Sequence, residues 1–177
     1  MFSSTSRRMA RSRPSAARRM AFTVFSAFTL TLVLTPDAAL ADKVRITSLS
    51  DVNFGMIANP QVEARRSQNM CVYSNGTGMT YSVSASGTGN GASFVLTSGA
   101  NSLPFQVEWS DSTGQSSGVS LSPATPLTGQ RSSATQQFCN SGPATSASMI
   151  IVLRPSDLTQ AREGNYAGTL NLLISAE

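Results

Sequence analysis

The stretch MTYSVSAS, Met79–Ser86, decides the fold. Met79, Tyr81, Val83 and Ala85 alternate with Thr80, Ser82, Ser84 and Ser86. Successive side chains of a strand point to opposite faces, so this segment has one face for a core and one for water. Leu103, Phe105, Val107 and Trp109 repeat the pattern against Pro104, Gln106 and Glu108. Tyr166, Gly168, Leu170, Leu172 and Ile174 repeat it again near the end. Met149 to Leu153 (MIIVL) is apolar at both parities, as a strand in the middle of a sheet is. Turn-formers separate the runs: Asn75-Gly76-Thr77-Gly78, Gly87 to Gly91, Ser98 to Asn101, and Asp111 to Gly114. The pattern predicts strands over 43–49, 51–57, 68–74, 79–86, 93–97, 102–110, 118–122, 134–139, 146–154 and 166–175. One helical turn is expected over 156–161, capped by Ser156 or Asp157. Many short strands with frequent turns specify an all-β, Ig-like antiparallel β-sandwich.

The charge is unevenly placed. The 177 residues carry 13 basic and 9 acidic groups, a formal +4. Six of the basic residues are Arg7, Arg8, Arg11, Arg13, Arg18 and Arg19. An apolar run, Ala21–Leu34, follows, then Pro36 and Ala39-Leu40-Ala41. A basic start, a short apolar run and an A-x-A end read as a secretory signal peptide over 1–41. The run of 14 residues falls short of the ~20 that span a bilayer, so no stable membrane insertion is expected after cleavage. Residues 42–177 then form the mature domain, with seven basic and eight acidic groups. That near-neutral balance removes the electrostatic footing for nucleic-acid binding.

Catalytic chemistry finds no residues to carry it. The chain has no His, which excludes an imidazole base or ligand. Gly114-Gln115-Ser116-Ser117-Gly118 matches G-x-S-x-G by letter, but that motif needs a strand–turn–helix setting and a His; it reads as a flexible hairpin loop. Asp111-Ser112-Thr113-Gly114 has no second copy to share a proton with. Gly87 to Gly91 lacks the helix and Lys of a phosphate cradle. The acids are scattered, so no calcium-loop spacing appears. No catalytic residue, cofactor or metal ligand is assigned, and the chain does not read as an enzyme. Cys71 and Cys139 are the only cysteines. Both lie in the exported part, each in a predicted strand, and an oxidising compartment pairs them as one structural disulfide. Trp109 shares parity with Val107 and reads as core. Tyr73 or an exposed Trp109 would instead favour a second reading, a secreted self-complete sandwich that recognises carbohydrate or another surface through its loops.

Two end motifs resemble a known family. Asp51-Val52-Asn53-Phe54-Gly55 resembles the first-strand element of chaperone–usher pilus subunits of the spore coat protein U (SCPU) domain group. Leu153-Arg154-Pro155-Ser156-Asp157-Leu158 followed by Gly164-Asn165-Tyr166-Ala167-Gly168-Thr169-Leu170 is similar to the closing pattern of such subunits. The resemblance implies a sandwich that is incomplete, missing its final strand. It also implies assembly by donor-strand complementation: a periplasmic chaperone lends a strand, an outer-membrane usher assembles, and a neighbouring pilus subunit's extension replaces the loan. The implied localisation is the periplasm and then the cell surface, as a fimbrium, or secretion. The acceptor edge would carry Tyr166, Leu170, Leu172 and Ile174, with the Glu177 carboxylate held by the chaperone's basic residues. Asp42 to Ser50 offers Val44 and Ile46 as anchors of a short donor strand; a subunit that accepts without donating, as at a pilus tip or adhesive end, is the alternative.

Overall fold

The computed structural model describes residues 42–177, and the signal peptide read over 1–41 lies outside the described residues. Ten strands are formed among them: β1 Val44–Thr47, β2 Ala64–Ser74, β3 Thr80–Ser86, β4 Val95–Ser98, β5 Asn101–Pro104, β6 Gln106–Ser110, β7 Val119–Ser120, β8 Leu127–Arg131, β9 Ala147–Leu153 and β10 Asn171–Ala176. One short helix, α1, spans Pro155–Leu158. All strand pairs in the named ladders are antiparallel. The first sheet runs β1-β2-β9-β6-β7, the second β10-β3-β8, and β4-β5 forms a separate hairpin. The apolar MIIVL stretch is indeed central: β9 lies between β2 and β6. Met149, Ile151 and Leu153 join the main core, whereas Ile150 and Val152 are fully buried on the opposite face.

The order β1-β2-β9-β6 and the pair β3-β10 reproduce the A-B-E-D and C-F neighbours of an Ig sandwich. The seventh strand of that fold lies beside F. No strand among the described residues occupies that place.

The core is built from the inward parities. Met70, Val72, Tyr81, Val83, Val107 and Trp109 are wholly buried. The Trp109 indole N–H donates to the Tyr81 hydroxyl at 3.2 Å, and the two rings meet edge to face. Each aromatic thus buries its polar tip already satisfied. The low dielectric around Tyr81 pushes its hydroxyl pKa well above the usual phenol value.

The disulfide Cys71–Cys139 forms, but only Cys71 lies in a strand. Cys139 sits in a loop with φ +49, so the expected strand 134–139 is absent. The bridge pins this loop to the outer face of β2, where Ala134 and Tyr73 pack beside it. The same loop supplies two hydroxyls that continue the ladder past the end of β9. Ser132 and Ser146 both donate to the Val72 carbonyl, and Ser146 Oγ accepts the Val72 N–H. Polar Ser-rich sequence here replaces strand backbone rather than forming it.

Other expectations shift for physical reasons. β8 is not predicted by the alternation, since Leu127-Thr128-Gly129-Gln130-Arg131 has none; Gly129 at φ +71 breaks it. Phe105 interrupts the expected 102–110 strand, its N–H turning to the Phe94 carbonyl. Residues 51–57 form no strand. The last strand begins at Asn171, not at 166. Helix α1 has no side-chain cap; Pro155 at its first position has no N–H to satisfy there.

Tyr81→Phe strands the Trp109 N–H in the core and should cost about 1–3 kcal/mol in urea unfolding. Replacing both cysteines by Ser should cost about 2–4 kcal/mol by the same measurement.

Candidate functional site at the open sheet edge

One side of the sandwich is sewn shut. Between β7 and β8 the chain crosses from the first sheet to the second. The Leu121 N–H donates to Val107 O at 2.8 Å, and the Ala124 N–H to Ala85 O at 2.7 Å. The opposite side, between β1 and β10, carries no such seam among the described residues, since β1 pairs with β2 and β10 with β3 alone.

β10 pairs with β3 in unbroken register from Asn171↔Ser86 to Ala176↔Tyr81. The Glu177 N–H donates to Thr80 O, so Ser175, Leu173 and Asn171 turn their backbone groups to β3 by antiparallel alternation. The N–H and C=O groups of Leu172, Ile174 and Ala176 therefore face the open side. Their side chains point inward, and Leu172 and Ile174 are half-buried against the core. Leu173 points outward and is 65% exposed. Backbone donors, backbone acceptors and an apolar flank thus coincide on one edge.

The other edges are blunted. β7 has two residues. β8 carries Gly129 at positive φ, and its ladder with β3 shifts register between Tyr81 and Val83. β1 has four residues. Short strands and bulges stop unwanted strand pairing. β10 has none of these devices over Asn171–Ala176.

The remaining predicted site residues are placed as follows. Val44 and Ile46 lie on β1 and pack, half-buried, against this chain's own core. Leu170 and Tyr166 precede β10 and do the same. The Tyr166 hydroxyl donates to Arg162 O at 3.0 Å. The segment ahead of β10 is bound to β4 through the Thr97–Ala167 bridge. A Cβ on Gly168 would stand 2.7 Å from Val95 O, so only glycine lets the backbones approach. Glu177 Oε2 accepts the Gly129 N–H at 2.8 Å, and its carbonyl accepts the Thr80 hydroxyl.

Hydrogen bonds tie the G-x-S-x-G loop to the strands beneath it. It lies over the outer face of the first sheet. The Gly114 N–H donates to Asn69 Oδ1, the Gln115 N–H to Ser148 Oγ, and Ser67 Oγ to Gln115 O. Arg65 grips the Glu108 carboxylate with both terminal nitrogens, at 2.9 and 3.1 Å, and also donates to Ser116 O. Glu108 Oε2 accepts the Gly118 N–H at 3.0 Å. Arg65 first, then Gly118, holds the Glu108 carboxyl below the usual range against the opposing cost of burial. This latch was missed in the sequence. Its one signal was an acid, Glu108, set between the core residues Val107 and Trp109.

Trp109 is buried and Tyr73 packs beside the disulfide, so Trp109 offers no stacking platform for a sugar. Among the described residues no three His, Cys, Asp or Glu side chains gather, and no helix is long and apolar enough to cross a membrane.

No family model and no curated protein matches the sequence. Two solved structures similar to the chain are a chaperone–tip adhesin complex of CFA/I fimbriae biogenesis and the CsuC–CsuE chaperone–tip adhesion subunit pre-assembly complex from archaic chaperone–usher Csu pili of Acinetobacter baumannii. The first gives a TM-score of 0.47 at 12% identity, covering 76% of this chain and 41% of that one. The second gives 0.44 at 16% identity, covering 76% and 40%. This chain thus spans about two fifths of each. Both likenesses lie below a TM-score of 0.5, and the functional reading is drawn from the sheet topology instead.

Glu108→Gln should loosen the 111–118 loop, raising its proteolysis rate and costing about 1 kcal/mol, because Arg65 is partly exposed. A depressed carboxyl pKa contributes stability above the unfolded value that is lost as pH falls through the folded one. The gap between wild type and Glu108→Gln in urea midpoints should therefore hold from pH 8 to pH 6 and shrink below the ordinary glutamate range.

Proposed function

We propose that this chain is an exported, non-enzymatic subunit of a chaperone–usher type fibre that accepts a strand from another chain. The observation that carries the reading is β10: a six-residue edge with an apolar inner flank, beside the place where the Ig fold has its seventh strand. An edge of that kind binds an extended segment through main-chain hydrogen bonds, with alternate side chains supplying specificity. The end motifs around Phe54 and Tyr166 support the same reading.

The partners are those that the resemblance of the end motifs implies. A periplasmic chaperone supplies the first strand, an outer-membrane usher receives the complex, and a neighbouring subunit's extension takes the final place. Residues 1–41 serve as the export signal. Val44 and Ile46 pack into this chain's own core, so no donor strand stands free among the described residues. That arrangement suits an acceptor at the end of a fibre, the tip, better than a shaft subunit.

The test uses residues 42–177, oxidised, and a fluorescent peptide alternating Leu with Thr. A 1:1 complex is expected. At a hundred times Kd, the peptide should add about 2.7 kcal/mol to stability. Ile174→Asp on the inner flank should abolish binding, while Leu173→Asp on the outer face should retain it. Equal loss in both variants, or no complex with the parent chain, would refute strand acceptance.

A further inference from the structure

A cleft of about 400 Å³ opens on the sewn side of the sandwich, lined by residues 93–94, 104–106 and 120–123. It forms where Phe105 breaks the run between β5 and β6 and sends its N–H to Phe94 O at 3.1 Å. The floor is made by the buried side chains of Phe94, Phe105 and Leu121. The two rings stand 5.6 Å apart, tilted by 31°. Exposed Pro104 and Pro123 add apolar walls. The frame is already fixed, because the Leu121 and Ala124 N–H groups are bonded to Val107 O and Ala85 O. An occupant would therefore need little ordering of the protein.

The lining decides the chemistry of that occupant. No residue in it carries a charge. An ion would lose its water there and gain no counter-charge, so the occupant is neutral. The rim is nonetheless polar. Ser93, Ser120 and Ser122 bring hydroxyls that enter no hydrogen bond among the described residues. Arg154 Nε donates to Gln106 Oε1 at 2.7 Å, which fixes that carboxamide and leaves its amide hydrogens uncommitted. A wholly apolar occupant would cover the floor but strip water from these rim groups without replacing it. A sugar ring meets both demands. Its C–H face lies on aromatic rings and prolines, and its hydroxyls bond the rim, the usual division of labour in a small-ligand site.

We propose that this cleft binds an uncharged pyranose, as one ring of a glycan. The Phe94–Phe105 floor supplies the contact, and Gln106, Ser120 and Ser122 set the orientation. The site does not rest on the strand-acceptor reading. The 119–125 crossing and β10 lie on opposite sides of the sandwich, so a sugar and a partner strand can be held at the same time.

The test follows the backbone amides of oxidised residues 42–177 by NMR during titration with methyl glucopyranoside, galactopyranoside and mannopyranoside. Glucuronate is the charged control and phenol the apolar one. At least one glycoside should shift the Ser93, Gln106 and Ser122 amides, with a Kd of about 1 mM for a ligand of that size. Ser120→Ala combined with Ser122→Ala, both at exposed positions, should weaken binding about tenfold and leave the urea midpoint unchanged. Ser122→Trp should fill the cleft and abolish binding. Silence of those amides with all three glycosides overturns the proposal. Glucuronate binding as tightly as the glucoside overturns it too, as does phenol binding more tightly than every glycoside. Full binding in Ser122→Trp, or no weakening in the double alanine variant, removes the sugar from this cleft and overturns the site. None of these outcomes bears on strand acceptance at β10.

Discussion

A backbone N–H or C=O must find a partner, in the protein or in water, and this fold leaves a long row of them on the outside of one unbroken strand. The row belongs to Leu172, Ile174 and Ala176, whose side chains also reach into the core. Because N–H direction and side-chain direction are coupled in a strand, the open row and the apolar flank cannot be separated. Whatever satisfies the first also covers the second. The other features of the sandwich are consistent with leaving that edge clear. The 119–125 crossing closes the opposite side, and β7, β8 and β1 are each short or broken.

The rest of the chain supplies rigidity around this edge. Trp109 and Tyr81 satisfy each other inside the core. The disulfide and two serine hydroxyls hold the 132–146 loop against β2. The Arg65–Glu108 pair clamps a second loop on the outer face. Each device acts on the first sheet or between sheets, and none covers β10.

Much of this was legible in the sequence where side-chain parity carries the signal. MTYSVSAS became β3, MIIVL became the central β9, and Trp109 fell in the core. The legibility failed where backbone hydrogen bonds are made by something other than alternating strands. Phe138 and Cys139 looked like strand residues, yet their loop uses Ser132 and Ser146 hydroxyls to continue the ladder. Leu127–Arg131 is not among the expected strands because Gly129 interrupts its period, yet neighbouring β3 recruits it. Residues 51–57 have strand composition, but they have no ladder partner among the described residues. The edge residues Leu172 and Ile174 were readable as a strand face; that β10 has no second neighbour in its sheet was not, because that depends on the order of the strands.

Gly129 has one further consequence. A sheet with two open edges behaves as a bifunctional monomer: each addition exposes a new edge, and growth by stacking of strands has no natural end. The bulge at Gly129 reduces the β10-β3-β8 sheet to a single valence. A strand added at β10 would consume it. Such addition would stop at one strand, with a glycine on the far edge of the sheet separating an ordered one-to-one union from runaway β-aggregation.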